Sequence, residues 1–105
     1  MTMAALRQSV LDVARQLEER GLTQGTSGNV SARLSDGFLV TPSAVPYDAL
    51  TTVDLVVVES NGPVRRGPRV RLPSSEWRMH SRILSSRPDV GAIVHAHPPW
   101  ATALS

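Results

Sequence analysis

Asp36-Gly37 sits between two short apolar segments, Val30 to Leu34 and Phe38 to Thr41, and it constrains the fold more than any other feature of the chain. Asp-Gly is at home in tight hairpin turns, whose backbone visits positive φ and matches the twist of the flanking strands. An antiparallel pair joined through Ser35-Asp36-Gly37 is therefore expected. Upstream, Leu6, Val10, Val13, Ala14 and Leu17 recur at the three-to-four spacing of a helix over residues 4–20, and Gly21 ends it. Downstream, Leu55-Val56-Val57-Val58 within Asp54 to Glu59 reads as a buried β-branched strand, turned by Asn61-Gly62-Pro63. Pro73-Ser74-Ser75 opens a second helix reaching about Ser86, and Arg87-Pro88-Asp89 breaks it. Val90 to Ala96 is a last strand, and Pro98-Pro99 begins a short helix. The order α-β-β-β-α-β predicts an α/β layered domain.

The 105 residues suit a single domain, and 41% apolar content suffices for a core. No apolar run approaches the roughly 18–20 residues that cross a bilayer, and the charged N-terminal helix is unlike a signal peptide. With no cysteine, disulfides and thiolate metal sites are excluded, and a cytoplasmic protein is expected. All eleven cations are arginine. Without a lysine these residues cannot form a Schiff base, so carbonyl chemistry would need a metal or preorganised donors. A pI of about 10.4 taken alone points toward nucleic acid, but the eleven basic residues are spread through the chain. The densest basic cluster, Arg65, Arg66, Arg69 and Arg71, lacks interleaved aromatics, however, and reads as a solvated loop.

Three constellations bear on chemistry. His95-Ala96-His97 ends an apolar strand, where residues two apart share a face and two imidazoles can converge on one divalent metal. Two polar residues near a strand end is the alternative. Ser74-Ser75-Glu76 at a helix start offers unpaired N–H groups and hydroxyls to an anion, or else a simple cap. Gly25-Thr26-Ser27-Gly28-Asn29 combines close backbone approach with side-chain donors, or is an ordinary turn; Thr41-Pro42-Ser43-Ala44 reads the same way more weakly. His80, four residues after Glu76, is read as a packed or hydrogen-bonded residue rather than a ligand.

Taken in order, GTSGNVSARL, TPSAVPYDAL, LPSSEWRMH and RPDVGAIVHAHPPWATALS resemble the class II aldolase/adducin family, especially its fuculose-phosphate aldolases. The resemblance runs from the first helix to Ser105. It implies a layered α/β/α domain around a mostly antiparallel sheet, of which residues 1–105 form the N-terminal part. By the same resemblance, Gly28, Asn29, Ser43, Ala44, Ser74 and Ser75 bind a substrate phosphate. Glu76 is the catalytic acid/base and a zinc ligand, and His95 and His97 are zinc ligands. Ala44 stands where the family usually has glycine. Members run to roughly twice this length, and their third zinc-binding histidine lies in the half absent here.

The activity so implied is reversible cleavage of a ketose phosphate to dihydroxyacetone phosphate and an aldehyde, with Zn2+ or another divalent metal as Lewis acid. The implied substrate is a small sugar phosphate, with no nucleic acid or membrane partner, in a homo-oligomer that is tetrameric in full-length relatives. Two alternatives remain open at this level: an inactive fragment or adducin-like binding domain, and a dehydratase acting on methylthioribulose phosphate.

Overall fold

The computed structural model describes residues 2–23, 26–60, 62–63 and 71–98. Gly25, Arg65, Arg66, Arg69, the Asn61 end of the expected turn and, beyond Pro98, the helix expected to begin at Pro98-Pro99 lie outside them. A 17-residue helix α1 (Met3–Glu19) leads into β1 (Asn29–Leu34) and β2 (Gly37–Val40). Two 3-10 turns, Tyr47–Ala49 and Thr52–Asp54, precede β3 (Val56–Glu59) and the two-residue β4 (Gly62–Pro63). Helix α2 (Trp77–Ser86) and strand β5 (Ala92–His95) complete the order. The sheet runs β4-β3-β2-β1-β5, and every neighbouring pair is antiparallel.

The expected hairpin forms with Leu34 opposite Gly37. Gly37 has φ 149°, and a Cβ there would run into the Val58 carbonyl of β3, so the turn admits only glycine. The two helices cover opposite faces of the sheet. Val10, Leu11, Ala14 and Leu17 of α1 pack with Val30, Ala32, Leu39, Leu50 and Leu55. Leu84 of α2 packs with Phe38, Val40, Val56 and Val58, with Trp77 and Ile93 at the margin. Strand alternation sends odd and even residues to different layers, which gives the three-layer α/β/α arrangement.

Several boundaries differ from the sequence reading. Val13 is exposed and Leu11 buried, because the helix stripe is rotated toward the 3-10 turns beneath it. Arg7 and Arg15 cross that seam, donating to the carbonyls of Thr52, Leu55 and Leu50. Asp54 belongs to a capping box with Thr51 rather than to β3, fully buried and paired with Arg71 at 3.2 Å. Helix α2 starts at Trp77, not at Ser74. Pro73 instead bridges to Pro42, Ser74 N–H donates to the Thr41 carbonyl, and Ser43 N–H donates to the Leu72 carbonyl, each at 2.9 Å. Those bonds hold residues 72–74 extended and delay the first helical turn.

Candidate metal and phosphate site

Bridging by Pro42 and Pro73 lays the Thr41–Ala44 loop beside the Ser74–Glu76 turn. The segment leading into β1 forms the third wall. Thr23 donates its hydroxyl to the Ser27 carbonyl, and Tyr47 Oη donates to the same carbonyl at 3.3 Å, which fastens the segment to the core. Burial, with the charge of Glu18 a smaller influence, pushes the Tyr47 phenol up to about 12, so it stays a donor. Gly28, at φ 82°, turns the chain into β1 where a Cβ would stand 2.7 Å from Thr23 Oγ1 and 2.9 Å from the His95 carbonyl. Only glycine permits that approach.

These walls enclose a cleft of about 210 Å3 lined by Thr26, Ser27, Gly28, Asn29, Ser43, Ala44, Ser74, Ser75, Glu76 and His97. All six residues expected at the phosphate line it, and so do two of the three expected metal ligands. Their side chains are not all free. Ser74 is buried, and its Oγ accepts the Glu76 N–H at 3.3 Å, closing the turn before α2. Ser75 and Ala44 are exposed. Ala44 holds φ 59°, the left-handed conformation that glycine adopts without strain.

Register brings the ligands together. Asn29 opens β1 directly opposite His95 at the end of β5, and Glu76 is the residue on which α2 begins. Among the described residues, Glu76, His95 and His97 form a group whose potential ligand atoms all lie within 4.8 Å of one another. His95 Nδ1 is 3.1 Å from Glu76 Oε2, and the His95 and His97 ring centroids are 4.6 Å apart. Despite that short distance, His95 Nδ1 is buried and makes no hydrogen bond of acceptable direction. An imidazole nitrogen without a hydrogen bond, facing a carboxylate, fits a divalent cation held between the two. Zinc bonds of about 2.0–2.2 Å put two donors on one ion no more than about 4.4 Å apart, so the group is close to the spacing that one ion requires. One carboxylate and two imidazoles suit a zinc-type cation and leave coordination positions for a further ligand and substrate.

Helix α2 also brings in His80, which is wholly buried under Phe38, the ring centroids 6.5 Å apart. Its Nδ1 lies 2.6 Å from Ser31 Oγ, and its Nε2 hydrogen-bonds Asn29 Oδ1. Burial, and then the nearby His95, hold its pKa below the ordinary value. Asn29 in turn donates from Nδ2 to Glu76 Oε1 at 3.3 Å. The sequence reading expected a packed His80 but missed its link to the site. Its only trace is the four-residue spacing from Glu76.

The family model for the class II aldolase and adducin N-terminal domain matches residues 8–105. The chain belongs to that family. Among family members it is 50% identical over 101 residues to a 5-methylthioribulose-1-phosphate/5-deoxyribulose-1-phosphate aldolase of Rhodospirillum rubrum, covering 96% of this chain and 44% of that protein. It is 44% identical over 100 residues to the L-fuculose phosphate aldolase of Escherichia coli K12, covering 95% of this chain and 45% of that one. A solved L-fuculose 1-phosphate aldolase superposes with a TM-score of 0.87 at 38% identity, covering 99% of this chain and 49% of that structure. The chain thus spans about half the length of the curated relatives it matches. It corresponds to the part of the class II aldolase fold that carries the Ser-Ser-Glu turn and the His-x-His strand end.

Proposed function

We propose that this chain forms the N-terminal part of a metal-dependent aldehyde-lyase that cleaves a ketose 1-phosphate to dihydroxyacetone phosphate and an aldehyde. The observation that carries the reading is the convergence of Glu76, His95 and His97, two of which line a polar cleft walled by three donor-bearing loops. Glu76, His95 and His97 would hold a divalent cation, with zinc the best match to their donor set. When bound, that cation supplies Lewis-acid stabilisation of negative charge developing on the ketose oxygens.

The chain's own residues account for the rest. Gly28, Asn29, Ser43, Ala44, Ser74 and Ser75 hold the phosphate, the end of the substrate that does not react, and so reduce the entropic barrier at the end that does. The hydroxyl on the carbon that becomes the aldehyde gives up its proton as the carbon–carbon bond breaks. Glu76 would deliver one to the carbon that becomes the hydroxymethyl group of dihydroxyacetone phosphate, so no proton is gained or lost overall. Catalysis through a lysine imine is not open to these residues, which include no lysine. Relatives named as aldolases of fuculose phosphate and of methylthioribulose 1-phosphate support a ketose 1-phosphate as the substrate class.

Calorimetric zinc titration of the purified chain tests the reading, with a His95→Ala/His97→Ala variant as control. One zinc per chain, bound at micromolar or tighter affinity and lost in the control, supports it. A folded chain that ignores zinc, or a control that binds as well as wild type, overturns it.

A further inference from the structure

Three buried side chains, Ser31, His80 and Asn29, form a continuous hydrogen-bonded row that runs from the sheet to the partly exposed Glu76. Ser31, His80 and Asn29 are at most 2% exposed, so no solvent replaces a lost partner within the row. A carboxamide has nearly the same shape in its two orientations, and only its neighbours decide which end faces which way.

On one side of Asn29 stands the Glu76 carboxylate, which accepts but does not donate. An Asn29 N–H toward Glu76 is attractive there, and a carbonyl oxygen in its place is repulsive. With Nδ2 donating to Glu76, Asn29 Oδ1 faces His80 and needs a donor, so His80 Nε2 must carry the proton. His80 Nδ1 is then bare and accepts the Ser31 hydroxyl. The opposite arrangement puts the proton on Nδ1, makes Nε2 an acceptor, and turns the Asn29 carbonyl onto Glu76. Both arrangements satisfy Ser31 and His80, but only the first also satisfies Glu76, and a mixture of them leaves a buried group unsatisfied.

We infer that His80 is a positioning residue for Glu76: by donating from Nε2 to Asn29 Oδ1 it fixes the Asn29 amide, so that the site receives an N–H and not a carbonyl oxygen. The inference rests on the reading of Glu76 as a metal ligand and proton carrier. It adds a residue that touches neither metal nor substrate. Phe38 stacked over the ring, and α2 fixing its backbone one turn beyond Glu76, hold the imidazole in the plane this donation needs. Burial favours the neutral ring, which has one donor and one acceptor to place.

Two measurements on the 105-residue chain test it. In long-range nitrogen–proton NMR spectra of the labelled protein near pH 7.5, His80 is expected as the neutral Nε2–H tautomer. A proton on Nδ1 with Nε2 bare overturns the inference. In zinc titrations, His80→Phe is expected to weaken binding roughly 10- to 100-fold, the usual effect of losing support behind a ligand. His80→Gln, whose terminal amide keeps a donor near Nε2, is expected to stay within about threefold of wild type on the same reasoning. A folded His80→Phe with wild-type affinity refutes the positioning role, and so does an equal loss in both variants. If the wild-type chain fails to bind zinc, the metal-site reading falls, and the ring tautomer still decides for or against the row.

Discussion

Gly28→Ala is the substitution whose outcome the structure specifies most closely. At φ 82° a non-glycine residue pays about 1–2 kcal/mol for the left-handed backbone. The new methyl would also stand 2.7 Å from Thr23 Oγ1 and 2.9 Å from the His95 carbonyl, both inside the closest separations that Cβ atoms tolerate. Neither neighbour gives way cheaply. Thr23 Oγ1 is engaged with the Ser27 carbonyl, and the His95 carbonyl belongs to the backbone of β5. Overpacking of this kind costs about 1–3 kcal/mol. Partial relaxation brings the combined loss to about 2–4 kcal/mol, or a fall in Tm of roughly 10–25 °C for a domain this size. Urea and thermal unfolding of the two proteins measure it. Because relaxation must push on the strand end that carries His95, zinc affinity of the folded variant is expected to fall severalfold as well. A Gly28→Ala protein within about 0.5 kcal/mol of wild type, the range of an innocuous surface change, would refute this account of the β1–β5 junction.

Ala44→Gly is expected to act in the opposite direction: it relieves the backbone at φ 59° and stabilises by about 0.5–1 kcal/mol, less the entropy glycine adds to the unfolded chain, as urea midpoints would report. Arg33→Met removes donations to the carbonyls of Val90, Leu84 and Arg87 that tie β1 to the end of α2, and a loss of about 2 kcal/mol is expected in equilibrium unfolding. For His80, whose folded pKa lies below the ordinary 6.5, the unfolded chain binds the extra proton first. The stability this neutral ring contributes is therefore present above about pH 6.5 and is lost as the pH falls below it. Metal-free wild type should lose stability over that window, and His80→Gln should show a flatter profile.

Much of this site is local, and so was legible in the chain. Asp36-Gly37 between two apolar segments favours a hairpin, and the helical stripe of α1 and the β-branched run of β3 declare their periods without help from neighbours. The four ordered motifs likewise pointed to Gly28, Asn29, Ser43, Ala44, Ser74, Ser75, Glu76, His95 and His97, and all six of the expected phosphate residues line one cleft. What sequence could not supply was anything set by contact between distant segments. Asn29, Ser31 and Arg33 alternate with Val30, Ala32 and Leu34, the pattern of a strand with one wet face. That polar face is instead covered by α2, because each of its side chains finds a hydrogen-bond partner there: Glu76 and His80, His80 again, and the last carbonyls of the helix. The late start of α2 has the same origin, since the bonds that hold Pro73 and Ser74 extended come from residues about thirty positions earlier. Composition and spacing determined which chemistry was possible. The antiparallel register of Asn29 against His95, and the docking of α2 across β1, decided which atoms meet, because a hydrogen bond depends on direction and distance that only the folded chain fixes.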